Sequence, residues 1–184
     1  MTTTIRRATT NDVDTIVAMR EEASAWLESR GINQWQNAWP TQDAQEQRIS
    51  ASIAAGETWM LTDNGTEVAT VALDNFADPQ LWTPLERAQP ALYMHRLIVR
   101  RTHAGLGVHV LDWASAKAAE IGRNWLRIDV WTNNLPLQRY YRRHGFRHVR
   151  TIQSDYPSGA LFQRPASAED AQGVDRTWLH ASAG

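Results

Sequence analysis

Two stretches of the chain decide the predicted fold. One reads LIVRRTHAGLG over residues 97–107, and the other reads NLPLQRYYRRHGF over residues 134–146. The earlier stretch has the pattern of a buried strand, a turn with two glycines and the start of a helix. The later stretch opens on Asn134, a good N-cap, tolerates a proline in its first turn and stops at Gly145. Together they predict a strand, a glycine turn and a helix, followed by a short capped helix.

The rest of the chain extends this alternation of strands and helices in both directions. Residues 3–8 read as a first strand, and Asn11 can cap a helix that Gly31 ends. The remaining predicted elements are a helix at 41–55, strands at 58–62, 67–73 and 91–99, a helix at 105–122, a strand at 125–131, a helix at 134–143, and strands at 146–152 and 160–164. We therefore predict an α/β fold, a mixed and largely antiparallel sheet with helices on both faces.

The length of the chain predicts a single domain. Its 184 residues fit one globular core, which we assign to residues 1–164. Residues 165–184 are rich in small and polar residues and read as a C-terminal tail, whose mobility the sequence leaves open. Residues 74–90 read as a long polar loop, and loops of that length are often functional.

The composition excludes several classes of protein. A formal net charge of -1 gives no overall field to attract nucleic acid or an anionic membrane, so we expect neither as a partner. The absence of cysteine excludes disulfides and thiol nucleophiles. No apolar run approaches the ~20 residues that span a bilayer, and the N-terminus lacks the apolar core of a signal peptide, so we expect a cytoplasmic protein. The histidines fall in no spacing typical of zinc, and no metal is expected.

The glycine turn has the chemistry of a phosphate site. A helix N-terminus offers unpaired N–H groups and the positive end of the helix dipole, and Gly105 and Gly107 would let a phosphate come close. The turn taken alone is equally compatible with a tight strand-to-helix connection. A dinucleotide-binding fingerprint would need a third glycine where Val110 stands, so that interpretation is set aside.

The later helix carries a tyrosine on the same face as its cap. Asn134 and Tyr141 are separated by close to two turns, and Leu137 lies between them on that face. In this order, the two stretches resemble the acyl-CoA site of the GNAT superfamily of N-acetyltransferases. The matching positions in the later stretch are Asn134, Tyr140, Tyr141, Gly145 and Phe146. The family has Gln or Arg three residues before the first glycine, where this chain has Thr102.

The resemblance implies a set of site residues. Tyr141 would be the general acid that protonates the departing CoA thiolate, and Asn134 would contact the pantetheine arm. Acetyl-CoA, as co-substrate, would be bound by Leu97, Ile98, Val99, Thr102, His103, Ala104, Gly105, Leu106, Gly107, Val108, Asn134, Leu137 and Tyr141.

The proton acceptor for the amine is less defined. Many family members place a glutamate on the strand before the glycine turn, whereas residues 92–97 contain no carboxylate. His95 is the first candidate for the catalytic base. Asp129 on the next strand, and Asp74 and Asp78 in the long loop, stay open as alternatives.

The predicted function is N-acetyl transfer from acetyl-CoA to a primary amine of a small molecule. Direct transfer in a ternary complex is expected, because the chain has no cysteine nucleophile. Two alternatives are an acetyltransferase for protein lysines or N-termini and a non-catalytic acyl-CoA-binding module. The protein is expected to be a monomer or a homodimer.

Overall fold

The computed structural model describes residues 3–36 and 41–172. Its strands are β1 (Thr3–Arg7), β2 (Thr58–Asp63), β3 (Thr66–Asp74), β4 (Ala91–Val99), β5 (Trp125–Val130), β6 (Arg147–Thr151) and β7 (Ala160–Pro165). Its α-helices are α1 (Val13–Ser29), α2 (Gln42–Ala54), α3 (Pro84–Arg87), α4 (Leu106–Glu120) and α5 (Leu135–Arg143).

The strands form one seven-stranded sheet in the order β1-β2-β3-β4-β5-β7-β6. The pair β4–β5 is parallel, while β1–β2, β2–β3, β5–β7 and β6–β7 are antiparallel. The prediction of an α/β fold with a mixed, largely antiparallel sheet is confirmed. No helix in the described part of the chain is both long and apolar enough to span a membrane.

Contacts divide the chain into two compact units, which are described separately. Among the described residues, the first unit comprises those up to 72 together with 96–107, and the second comprises 73–95 and 108–172. The cut falls within β3 and within β4. The prediction that residues 1–164 form one domain stays a prediction.

The first unit has a core of aliphatic side chains from its helices and its strands. Ile16 and Met19 of α1 and Ile49 and Ile53 of α2 pack with Met60 of β2. The predicted cap of α1 was wrong: the N-cap is Asp12 rather than Asn11, after a 3-10 turn that Thr9 opens. Two hydrogen bonds of 2.8 Å from Arg6 hold the buried Asp12 carboxylate. These bonds, and bonds from Thr9, outweigh burial and lower the pKa of Asp12 to about 2.

The second unit is organised around the parallel pair. The β4–β5 register runs from Ala91 opposite Trp125 to Met94 opposite Ile128. Next to it, β5 pairs with β7, which places Gln163 beside Arg127. These pairings put the side chains of alternate residues of β4, β5 and β7 on one face of the sheet.

The long loop predicted for residues 74–90 is partly ordered into structure. It contains α3, whose first turn is closed by a reciprocal capping box between Thr83 and Glu86. Just before it, Trp82 is buried in a core cluster with Leu81 and Tyr93. The polar residues of this segment suggested a loop, but its tryptophan belongs to the core.

Helix α5 begins and ends as the sequence predicts. The Asn134 side-chain oxygen accepts a hydrogen bond of 3.0 Å from the Leu137 backbone N–H. Gly145 follows the helix with a φ of 81°, a conformation that favours glycine.

The first residues of the predicted C-terminal tail contact the second unit. Arg164 donates a hydrogen bond of 3.0 Å to Asp170, and the Ser167 backbone N–H donates one of 3.2 Å to Ser115 of α4. A 3-10 turn covers Ala168–Gln172. The rest of the predicted tail, residues 173–184, lies outside the described residues.

Candidate active site

Two carboxylates and an imidazole meet where the β4–β5 register ends. His95 follows the last paired residue of β4, and Asp129 follows the last paired residue of β5. The distance from His95 Nδ1 to Asp129 Oδ1 is 3.3 Å, and that from His95 Nε2 to Asp74 Oδ2 is 3.2 Å. Asp74 is the last residue of β3, so three strands each supply one member of this group.

Each carboxylate also accepts a second hydrogen bond. Asp74 Oδ1 accepts from the Phe76 backbone N–H at 2.9 Å. Asp129 Oδ2 accepts from the hydroxyl of Tyr156 at 2.8 Å. We call the four side chains Asp74, His95, Asp129 and Tyr156 the His95 cluster. Its hydrogen bonds run without a break from one carboxylate through the imidazole to the other carboxylate and the phenol.

The two carboxylates change the pH at which His95 loses its proton. Burial disfavours the charged ring, but hydrogen bonds and charge from Asp129 and Asp74 outweigh burial and raise the pKa of His95 to about 10. Loss of a proton would turn one ring nitrogen into an acceptor facing a carboxylate oxygen, which explains the direction. At neutral pH the ring is therefore an imidazolium, and it gains the capacity to accept a proton only as the pH rises.

Tyr141 lies on α5 in the same unit. Its side chain is buried, and burial raises the pKa of its phenol, as do the charges of Tyr140 and Asp129. The phenol therefore keeps its proton throughout the physiological range. Among residues 3–36 and 41–172, none forms a hydrogen bond with the Tyr141 hydroxyl, whereas a buried phenol usually has a partner.

The other site residues predicted in the second unit lie at the start of α5. Asn134 is 3% exposed, and its side-chain oxygen is used by the helix cap. Leu137 follows one turn later and Tyr141 one turn after that, as the predicted spacing requires. The second unit thus contains His95, Asn134, Leu137 and Tyr141.

The glycine turn belongs mainly to the first unit. Leu97, Ile98 and Val99 end β4, a 3-10 turn covers Arg101–His103, and α4 begins at Leu106. The predicted residues Leu97 to Gly107 are in this unit, while Val108 is in the second. The predicted order of strand, glycine turn and helix is therefore present.

The charged side chains of this turn are engaged within the first unit. Arg100 forms an ion pair with Glu22 and donates to the Glu67 carbonyl at 2.9 Å. The Arg101 guanidinium lies 4.0 Å from the centre of the Trp26 ring. Both guanidinium groups therefore have partners within the protein.

Further along the turn, a histidine side chain also has partners within the first unit. His103 lies 3.3 Å from Asp63 and 2.9 Å from the hydroxyl of Thr102, which replaces the Gln or Arg of the resembled pattern. Any ligand at this turn would rely chiefly on backbone N–H groups.

Gly105 allows a test of whether the turn fits a phosphate. A Cβ atom built at this position meets no heavy atom within 4 Å, and its φ lies outside the left-handed region. Neither the packing of the described residues nor the backbone conformation therefore requires glycine here. The open space at a helix start is what the close approach of a phosphate needs.

Tyr156 was not among the residues predicted from the sequence. It lies in QSDYPSG, residues 153–159, a segment whose composition indicates only a turn. Asp129 and Asp74 were predicted as alternatives for the base. In the structure, both carboxylates lie within 3.3 Å of the His95 ring. In the described part of the chain, no group of three or more His, Cys, Asp or Glu side chains is arranged to hold a metal ion.

Comparisons with known proteins show the family to which this chain belongs. The model of the acetyltransferase (GNAT) family matches residues 19–146. A relative from Bacillus subtilis (strain 168), the uncharacterized N-acetyltransferase YesJ, is 29% identical over 163 residues, covering 86% of this chain and 87% of its own.

Solved structures share the fold. A GNAT family acetyltransferase from Listeria monocytogenes superposes with a TM-score of 0.70 at 23% identity, covering 89% of this chain and 94% of its own. The PaiA N-acetyltransferase of Thermoplasma acidophilum, solved with coenzyme A, gives a TM-score of 0.65 at 18% identity, covering 90% of this chain and 99% of its own. By the match over residues 19–146, this chain belongs to the GNAT acetyltransferase family.

Proposed function

We propose that this protein transfers the acetyl group of acetyl-CoA to the primary amine of a small molecule. The observation that carries this proposal is the Tyr141 hydroxyl, a buried and protonated donor that no described residue hydrogen-bonds. Family membership supports the reaction class. The proposal includes a monomer or homodimer in the cytoplasm.

The proposed chemistry is direct transfer. The nitrogen of the neutral amine attacks the thioester carbonyl carbon, the carbon–sulfur bond breaks, and the sulfur takes the proton of Tyr141. The nitrogen gives up one proton to His95 as the amide forms, and proton exchange with solvent then restores the Tyr141 phenol and the neutral His95 ring. An ordinary thiol has a pKa of ~8.5 and a phenol one of ~10. Because burial makes the Tyr141 phenol a weaker acid, its proton moves only as charge develops on the sulfur, which is the condition for general acid catalysis.

The amine must lose one proton, and we assign its uptake to His95 together with Asp74 and Asp129. The nitrogen carries a positive charge once it has attacked, so it readily gives its proton to a neutral ring whose pKa is about 10. At neutral pH the ring still holds its own proton and must lose that proton first. With an acceptor that is already neutral, the specificity constant kcat/KM should therefore rise about tenfold per pH unit toward alkaline pH.

In the first unit, the glycine turn is proposed to bind acetyl-CoA. The open space at Gly105 and the position of the turn at the start of α4 support this assignment. The coenzyme A in the PaiA structure is a further support from a protein of the same fold. The proposed contacts are those of residues 97–99 and 102–108 and of Asn134, Leu137 and Tyr141.

The decisive experiment measures acetyl-CoA binding by calorimetry and CoA release with a panel of amines. Gly105→Glu adds bulk and a negative charge at the turn, where a Cβ atom meets no other heavy atom within 4 Å, and should abolish binding while circular dichroism stays unchanged. Ala116→Glu adds the same charge further along α4 and serves as the matched control. Unchanged affinity in Gly105→Glu would overturn the binding site. Binding without CoA release for any small amine or peptide would favour the non-catalytic module.

A further inference from the structure

The loop between β6 and β7 is a closed structure that places Tyr156. Its two ends are joined by a hydrogen bond of 2.9 Å from the Ile152 N–H to the Gly159 carbonyl. Thr132, just after β5, fastens it twice: its N–H donates to the Pro157 carbonyl at 2.9 Å, and its hydroxyl accepts from the Gly159 N–H at 3.1 Å. The loop is therefore tied to the strand that carries Asp129.

The closure of this loop depends on a glycine. A Cβ atom at position 159 would lie 2.2 Å from the Ile152 carbonyl oxygen, which is far inside van der Waals contact. The two ends of the loop can approach this closely only because Gly159 has no side chain. A loop held in this way presents its tip in a fixed position.

In this loop, the hydroxyl of Tyr156 lies within hydrogen-bonding distance of Asp129. Its ring is partly buried against the core cluster of the second unit that contains Tyr93 and Leu161. Burial, and then the charge of Asp129, raise the pKa of its phenol, so the hydroxyl stays protonated and donates. Only one oxygen of Asp129 is thereby occupied, and the other remains 3.3 Å from His95 Nδ1.

We propose that Tyr156 is a positioning residue: its hydroxyl orients Asp129, and Asp129 in turn orients the His95 imidazole and governs when that ring takes up a proton. The catalytic part of this inference rests on the proposed function. A tyrosine that served packing alone would not need a carboxylate partner, and its ring already packs against the core.

The sign of the effect follows from the groups that face one another. Asp74 of β3 and Asp129 of β5 face His95, while Tyr156 from the loop and Tyr141 from α5 act on Asp129. Without the Tyr156 hydroxyl, Asp129 loses a hydrogen-bond donor that partly neutralises its charge. The carboxylate then attracts the His95 proton more strongly, which should raise the pKa of His95. Loss of the Asp129 charge should lower it. The two variants are therefore expected to move one titration in opposite directions.

The experiment follows the His95 titration by NMR, independently of activity. The imidazole resonance is assigned by its absence in His95→Gln. Tyr156→Phe should raise the midpoint by roughly one pH unit or less, the equivalent of one hydrogen bond. Asp129→Asn should lower it by more, because a full charge is removed. Asp155→Asn removes an exposed charge from the same loop and should leave the midpoint where it was.

Kinetics then test the link to catalysis. The acceptor is a weakly basic amine that is already neutral near pH 7, so the alkaline limb of kcat/KM reports the protein and not the acceptor. In Tyr156→Phe this limb should move with the NMR midpoint, and the affinity for acetyl-CoA should be unchanged.

The outcomes separate this inference from the proposed function. An unmoved midpoint in Tyr156→Phe, with or without a lower melting temperature, overturns the positioning role. A midpoint that moves while the kinetic limb stays fixed also overturns it, since the ring would then not take part in the reaction. Absence of acetyl transfer by the wild-type protein contradicts the proposed function, and the NMR midpoints alone then decide the positioning role.

Discussion

Two neighbouring rows of polar side chains lie on one face of the sheet in the second unit, and they differ in kind. The first row runs through Tyr93, Arg127 and Gln163, which the strand registers place side by side. The second lies two residues further along β4 and β5 and contains His95 and Asp129. We call them the Arg127 row and the His95 row.

In the Arg127 row, one guanidinium group donates hydrogen bonds to several neutral oxygen atoms. Arg127 is fully buried and donates to the Tyr93 hydroxyl at 3.0 Å and to the Gln163 amide oxygen at 3.1 Å. It also donates to the Glu86 carbonyl at 2.7 Å and to the Gln89 amide oxygen at 2.8 Å, which ties the segment of α3 to β5.

The His95 row has opposite properties. Its charges face one another, the pKa of its ring lies far from the usual value, and the nearby Tyr141 hydroxyl has no partner among the described residues. Two rows of one sheet face can therefore have different roles, because in one row a cation is bound by neutral acceptors and in the other a titrating ring lies between two carboxylates. The Arg127 row should govern stability, and the His95 row should govern the dependence of activity on pH.

The largest expected effect comes from removing the proton donor beside the His95 row. Tyr141→Phe keeps the ring and should lower kcat by roughly 10²–10⁴, with little change in acetyl-CoA affinity. The matched control is Tyr93→Phe in the Arg127 row, which should cost stability and leave kcat within a few-fold of wild type. Steady-state kinetics on a good acceptor amine measure both. Equal losses of kcat in the two variants would break the distinction between the rows.

The second effect is on stability and concerns the Arg127 row. Arg127→Met leaves several buried oxygens without a donor and should lower the free energy of unfolding by about 2–4 kcal/mol. Urea denaturation measures this loss. The alkaline limb of kcat/KM should keep its midpoint in this variant. A shifted midpoint would show that Arg127 contributes to the proton chemistry as well.

The third effect is the dependence of stability on pH. Because the folded-state pKa of His95 is raised from 6.5 to about 10, its stabilisation is complete below pH ~6.5 and is lost as the pH rises through about 10. The melting temperature should fall by a few degrees over that range. His95→Gln should flatten this part of the curve, while His148→Gln, an exposed control, should not. An equally steep curve in His95→Gln would place the titration elsewhere.

The smallest effect tests the segment that covers the Arg127 row. Two hydrogen bonds of 2.7 Å join Arg150 to Glu86. They, with bonds from Thr83, outweigh burial and lower the pKa of Glu86 to about 2. Its stabilisation is therefore present above pH ~4.5 and lost as the pH falls through about 2.

Glu86→Gln should lower the free energy of unfolding by about 1 kcal/mol at neutral pH and by much less at pH 2. Chemical denaturation at the two pH values measures this difference. The pH profile of activity should be unchanged. Equal losses at both pH values would mean that the carboxylate charge is not what holds this segment.

The elements that the sequence predicted well have local signals. Asn134 and Gly145 mark the ends of α5 by their own conformational preferences, and the two glycines after β4 mark the start of α4. Such signals need no knowledge of distant residues. For this reason the strand and helix order and the position of Tyr141 were predictable.

The contacts that the sequence did not predict join distant parts of the chain. His95 and Asp129 meet because of the β4–β5 register, and a lone histidine or aspartate on a strand does not reveal its neighbour. Tyr156 reaches Asp129 only through the closure of its loop at Gly159. Arg127 lies in a segment that was predicted only as a strand, and its contacts with the segment of α3 could not be read from that pattern.

The double engagement of His95 also has a consequence for chemical labelling. Reagents that acylate histidine attack the unprotonated ring nitrogen, and both nitrogens of His95 face carboxylates that keep them protonated. Of the six histidines in the chain, this one should therefore be protected at neutral pH and become reactive only in alkaline solution. A histidine that resists such a reagent until the pH is raised would be a simple fingerprint of an intact site.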